Sequence, residues 1–198
     1  MNGTIHLVRH GKVENPKGVI YGRLPGFGLS ELGQRQAAAA AQRLAERDIG
    51  AVWSSPLERA QETAAIIAEP HGLDIVTDLR LIESGTSLEG IGRTIGAFMR
   101  SPRHWWALRN PFKPSWGETF SEIRLRMLEA VEEALRDAGG REVVIVSHQT
   151  PVQVARLALA KRSLPPWLGF APCVTGSVTS LTLEEGKVLE VAYFAPSV

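Results

Sequence analysis

The sequence predicts a three-layer α/β/α fold on a mainly parallel central sheet, with one antiparallel edge strand and a lid insertion. Three observations predict it. Short apolar segments of strand character alternate along the chain with longer segments of helical periodicity. The segment 143–146 is apolar at every position, as a strand covered on both faces requires. Ser55-Pro56-Leu57-Glu58 and Thr119-Phe120-Ser121-Glu122 both have capping-box form and so mark two helix starts.

The elements follow in order. Residues 4–8 read as a short buried strand ending at Arg9-His10-Gly11, and a Gly- and Pro-rich loop follows over 12–29. Ser30 can cap a helix to about Asp48, with Leu32, Ala39, Ala40 and Leu44 near helical spacing. Residues 51–53 form the second strand. Ser55 then caps the next helix, with Pro56 at its first position, and Pro70 to Gly72 end it. A third strand is expected at 73–76, with an irregular stretch around Glu83. Residues 85–117 resist regular assignment and hold Trp105, Trp106 and Trp116 between prolines. Thr119 opens a helix with Ile123, Met127, Val131 and Leu135 on one face, closed by Gly139-Gly140. Strand 143–146 runs into Ser147-His148, and Thr150-Pro151 starts another helix. Residues 178–183 and 188–193 flank Glu185-Gly186 as an antiparallel hairpin, which supplies the antiparallel edge.

The chain of 198 residues fits a single domain over 1–198, and 44% hydrophobic with 22% charged residues is ordinary globular composition. Its net charge is +1, with acids and bases intermixed. Without a basic stripe, nucleic-acid and membrane-surface partners are not expected. No apolar run approaches the ~20 residues of a membrane helix. The start, MNGTIHLVRHG, enters a strand pattern directly, so no signal peptide is expected. The single cysteine, Cys173, cannot form an internal disulfide; this suits a reducing, cytoplasmic location, and Cys173 reads as a small apolar residue.

In open α/β sheets, ligands gather beyond the carboxyl ends of the strands. Four segments bring reactive side chains to that edge: Arg9 and His10 after the first strand, Arg59 after the second, Glu83 after the third and His148 after the fourth. A cation in the first turn of a helix opposes the helix dipole, so Arg59 is explained by an anion bound at that end; its alternative is a surface pair with Glu58 or Glu62. His10 lies between Arg9 and a glycine that lets backbone approach a ligand. His148 ends a buried strand, where a charged imidazole is costly without an anion. His6, His71 and His104 read as surface or satisfied core residues. His6 and His10, about 13 Å apart along a strand, cannot share an ion. Arg9 and Arg59 would repel a cation from His10, His148 and Glu83, so no metal is expected.

Taken together, these residues resemble the histidine phosphatase superfamily, also called phosphoglycerate-mutase-like. The likeness rests on Leu7-Val8-Arg9-His10-Gly11, Asn15, Gly22 and Leu29-Ser30-Glu31-Leu32-Gly33-Gln34-Arg35-Gln36-Ala37, and on the block running from Ser54-Ser55-Pro56 through Arg59 to Ala64. Gly117-Glu118-Thr119 and Val146-Ser147-His148 fit the later blocks. Lys12 stands where the family is often acidic, and Gln149 where glycine commonly follows the second histidine. The acid-donor motif is shifted in spacing, which leaves Glu83 as donor and Glu89 as the alternative.

The resemblance implies a phosphomonoester hydrolase that needs neither metal nor cofactor. His10 would attack phosphorus to give a phosphohistidine, with its tautomer fixed by a backbone carbonyl. Arg9, Arg59 and His148 would clamp the phosphate, Asn15 and Gln149 would help bind substrate, and Glu83 would serve as acid and base. Residues 85–117 would form the lid over a small-molecule phosphomonoester. Two other readings stand beside this one: a phosphoglycerate mutase-type transfer, and an inactive phospho-ligand-binding protein on the same fold. The terminal hairpin offers an edge strand through which a homodimer could form.

Overall fold

β-Branched and aliphatic residues dominate the segments that become strands: Gly3–Arg9 (β1), Ile49–Ser54 (β2), Ile75–Thr77 (β3), Glu142–Ser147 (β4), Val178–Glu184 (β5) and Lys187–Phe194 (β6). Between them lie the helices Glu31–Leu44 (α1), Glu58–Ala68 (α2), Phe120–Asp137 (α3) and Gln149–Leu159 (α4). The computed structural model describes residues 1–92, 117–163 and 172–198. The expected lid falls mostly on 93–116, and its three tryptophans, with His104, lie outside the described residues.

The strands form one sheet in the order β3-β2-β4-β1-β5-β6. β1, β2, β3 and β4 pair in parallel. β5 runs antiparallel to β1, and β6 antiparallel to β5. Glu185 and Gly186, both at positive φ (49° and 71°), make the two-residue turn of that hairpin. Side chains alternate across the sheet. Leu7, Val143 and Ile145 face one core with Ile123, Met127 and Val131 of α3 and Val152 and Ala155 of α4. Val8, Val144 and Val146 face the other with Ala40 and Leu44 of α1 and Ala60, Ala64 and Ile67 of α2. Helices thus cover both faces, as the unbroken apolar run in β4 requires.

The chain leaves β1 toward β2 on one side of the sheet and leaves β4 toward β5 on the other. β1 and β4 are neighbours, so their carboxyl ends flank a topological switch point, where side chains converge in such folds.

Three elements differ from expectation for visible reasons. α1 stops at Leu44 rather than near Asp48. Its apolar face ends there, and Arg47 turns away to hold Glu142 through two bonds of 2.8 and 2.5 Å. β3 begins at Ile75, because Gly72 is left-handed and Leu73 still bonds back to the carbonyl of Ala68. Ser55 is not the cap of α2: Leu57 occupies that position without a side-chain hydrogen bond, and Pro56 precedes the helix. Thr119, by contrast, makes the full capping box with Glu122, and Ser30 accepts from the Gly33 N–H.

The loop after β1 packs onto the first turn of α1. A Cβ on Gly33 would sit 2.0 Å from the Lys12 carbonyl oxygen, and one on Gly11 would sit 2.3 Å from that of Gly33. Gly33→Ala is therefore expected to push the Lys12 loop outward, destabilising the fold by about 1–3 kcal/mol and lowering turnover. A thermal melt matching that of the parent would contradict this packing account.

Candidate active site

His10 follows β1 and is almost wholly buried, as are His148 after β4 and Arg59 in the first turn of α2. The two imidazoles lie edge-on, with ring centroids 5.0 Å apart. The main chain holds them in place. The His10 N–H donates to Ser147 O (3.0 Å), and Gly176 N–H donates to both Arg9 O and His10 O.

His10 Nδ1 lies 2.7 Å from the carbonyl oxygen of Gly11. A carbonyl only accepts, so Nδ1 carries the proton and Nε2 is left as a bare lone pair. Burial, reinforced by Arg59, lowers the pKa of His10 to about 3. The ring is therefore a neutral base at any ordinary pH. His148 is held well below the usual histidine range, first by burial and then by His10, Arg59 and Arg9. Its Nε2 lies 2.7 Å from Ser55 Oγ.

Arg9 Nη1 donates to Cys173 O (2.6 Å) and Arg59 Nη2 donates to Gly22 O (2.6 Å). The Tyr21 ring lies beneath the Arg59 guanidinium, 4.8 Å from centroid to carbon. The surface-pair alternative for Arg59 does not hold, because Glu58 and Glu62 accept from the loop N–H groups of Gly26 (3.0 Å) and Leu29 (2.7 Å). Among the described residues, Arg9 Nε, Arg59 Nε and His148 Nδ1 are buried without a hydrogen-bond partner, as is His71 Nε2 after α2, which is therefore not the satisfied residue expected. Each such group left unpaired costs about 1–3 kcal/mol. Donors left unpaired in Arg9, Arg59 and His148 are groups that an anion could satisfy.

Glu83 is half-buried and lines a cavity of about 420 Å³ with Arg9, Tyr21, Gly22, Gln149 and Thr150. Burial raises its pKa, against the opposing pull of the Ser84 hydrogen bonds and of Arg59 and Arg9. Its backbone is braced: Arg23 Nε donates to Glu83 O (2.7 Å), and Arg23 and Arg126 both bind Glu118. Glu118 of the Gly117-Glu118-Thr119 block thus braces Glu83 through Arg23. Glu89, the alternative acid, accepts from the Arg23 N–H (2.7 Å) and abuts Gly22, so it shapes the loop that carries the Arg59 acceptor.

The remaining candidates divide. Gln149 is exposed at the start of α4 and lines the Glu83 cavity. Asn15 lines a neighbouring cavity of about 790 Å³ with Arg9, Lys12 and Tyr21. Its amide bonds to both the N–H and the carbonyl of Val19, which holds the loop and leaves it less free to donate. His6 is a satisfied core residue between Ser180 Oγ (2.8 Å) and Glu142 Oε2 (2.7 Å). Cys173 is buried, with its thiol pKa raised by burial, and contributes a carbonyl to Arg9. Among the described residues no group of His, Cys, Asp or Glu is placed to hold a metal ion, and no helix is long and apolar enough to cross a membrane. Sequence reasoning missed Tyr21, Arg23 and the side-chain role of Ser55. Tyr21 carried a weak signal, as one of only two aromatic residues in the 12–29 loop.

Two buried histidines and two arginines, one of them fully buried, thus meet at the carboxyl edge of a parallel sheet. The chain belongs to the histidine phosphatase superfamily (branch 1), which matches residues 5–195. It is 51% identical to an uncharacterized protein of Mycobacterium tuberculosis, covering 98% of this chain and 96% of that one. It is 31% identical to phosphoserine phosphatase 1 of Hydrogenobacter thermophilus (91% and 87% covered). To the 2,3-bisphosphoglycerate-dependent phosphoglycerate mutase of Thermoplasma acidophilum it is 32% identical (92% and 88%). Among solved structures, a mycobacterial glucosyl-3-phosphoglycerate phosphatase superposes with a TM-score of 0.74 at 27% identity, over 98% of each chain.

Proposed function

We propose that the chain hydrolyses small phosphomonoesters without a metal, through a phosphohistidine on His10, with Glu83 as acid and base. The observation that carries this is the free Nε2 of His10 in a cluster with His148, Arg9 and Arg59, which among the described residues hold three unpartnered buried nitrogens. Such a centre supplies what phosphoryl transfer asks of a protein, which is an aligned nucleophile and fixed positive charge around the equatorial oxygens.

In the first step the His10 Nε2 lone pair forms a bond to phosphorus. The ester P–O bond breaks, its electron pair goes to the leaving oxygen, and the carboxyl proton of Glu83 neutralises that oxygen. In the second step the Glu83 carboxylate takes a proton from water while the water oxygen attacks phosphorus. The P–N bond breaks and its electrons return to Nε2. The raised pKa of Glu83 keeps a protonated fraction available at higher pH than an ordinary carboxyl would.

Two outcomes follow from that assignment. With an alkyl phosphate, kcat/KM falls as pH rises through the raised pKa of Glu83, because the acid form is lost. On the acid side His10 remains a base until its own pKa of about 3. In kcat/KM, which reports the first step, Glu83→Gln is expected to lose roughly 10²–10⁴-fold on alkyl phosphates, together with the alkaline limb, and little on an aryl phosphate whose leaving group needs no proton. Equal loss on both substrates would move the acid role away from Glu83.

The relative that is a phosphoglycerate mutase supports a second reading, in which the phosphohistidine returns its group to the rotated product. Phosphoglycerate interconversion without phosphate release would select it. A purely binding protein is disfavoured, because both histidines, both arginines and the acid are retained together.

A further inference from the structure

Ser55 has the sequence of a helix cap but not the position of one. It is fully buried, and its Oγ lies 2.7 Å from His148 Nε2 and 3.4 Å from Leu57 N. Its main chain is fixed on both sides: its N–H donates to Val146 O of β4, and its carbonyl accepts from Gln61 Nε2 (2.7 Å) and Ser54 Oγ (3.0 Å). α2 meanwhile starts without a side-chain cap, which leaves its first N–H groups without the usual acceptor. A hydroxyl withheld from the helix and set against a buried imidazole needs another use.

A count of protons on the pair supplies it. A serine hydroxyl has one proton and two lone pairs. The Leu57 N–H, at the long distance, takes one lone pair. Among the described residues the only acceptor within reach of the Ser55 proton is His148 Nε2. Were Nε2 protonated and donating instead, the serine proton would have no acceptor. The arrangement Ser55 Oγ–H to Nε2 gives the serine proton its acceptor, and it puts the histidine proton on Nδ1, which is buried without a partner among the described residues.

We propose that Ser55 is the positioning residue that fixes His148 as its Nδ1–H tautomer, so that His148 offers a donor rather than a lone pair to the phosphoryl group. The two histidines then carry the same tautomer and use opposite ends of it. A backbone carbonyl takes the Nδ1 proton of His10 and frees Nε2 to attack. A serine hydroxyl occupies Nε2 of His148 and frees the Nδ1 proton to bind the group being transferred. The use of that proton rests on the phosphoryl-transfer reading above; the tautomer itself does not.

The test is ¹⁵N NMR of histidine-labelled protein, with His148 assigned by comparison with His148→Gln, alongside kinetics and inorganic-phosphate binding for Ser55→Ala and Ser55→Thr. Wild-type His148 should show an unprotonated Nε2 and a protonated Nδ1. Ser55→Ala should lose this single tautomer, weaken phosphate binding about tenfold and lower kcat about 10–100-fold. Ser55→Thr, which keeps the hydroxyl, should restore most of both. A protonated Nε2 in the wild type, or unchanged phosphate affinity and kcat in a folded Ser55→Ala, would overturn the proposal. Reading the wild-type tautomer needs neither turnover nor a folded Ser55 variant. A chain with the expected tautomer and no hydrolysis would therefore count against the phosphatase reading alone.

Discussion

His10→Ala is expected to reduce kcat/KM for every phosphomonoester by at least about 10⁴-fold, down to whatever the phosphate-binding groups achieve with water alone. The expectation follows from geometry: the Nδ1 of His10 is tied to Gly11 O, which leaves its Nε2 as a free lone pair, whereas the Nε2 of His148 is taken by Ser55. Burial keeps the ring neutral, so the loss should be uniform from mildly acidic to alkaline pH. Phosphate affinity should survive in the variant, because the arginines remain. Full turnover in a folded His10→Ala protein would remove the nucleophile from the account.

Arg59→Met is expected to separate activity from stability. Arg59 is 1% exposed and sits at the positive end of α2, where its charge opposes the helix dipole. Around a phosphoryl group that charge is worth roughly 10²–10³-fold in rate. In the unliganded protein the same charge is a desolvated cation, and an apolar side chain of similar volume removes that burden. The variant should lose activity while its melting temperature in phosphate-free buffer stays level or rises. A fall in both would make Arg59 a structural brace, acting through Gly22 O and the Tyr21 ring.

How much of this was legible in the sequence depends on how local the cause is. The parallel sheet with helices on both faces could be read, because residues 143–146 are apolar throughout and strands alternate with helices. His10, Arg59, Glu83 and His148 could be read because each follows a strand at its carboxyl end. What escaped depends on contacts distant in sequence. Ser55 carries a genuine local cap signal, but His148, 93 positions away, takes its hydroxyl. Asn15 is a plausible donor by type, yet Val19 holds its amide. The Arg23–Glu118–Arg126 brace behind Glu83 joins three segments whose charges look like ordinary surface in sequence. Choosing between Glu83 and Glu89 likewise needed the fold, since only placement shows one lining the cavity and the other buttressing Gly22.

In the proposed mechanism, hydrolysis proceeds by two displacements through His10. The stereochemical course at phosphorus tests it most directly, using an isotopically chiral phosphomonoester with a chelator present. Two in-line displacements predict net retention of configuration in the phosphate released. Net inversion would mean that water attacks the ester directly, and would contradict the phosphohistidine mechanism whatever the residue variants show.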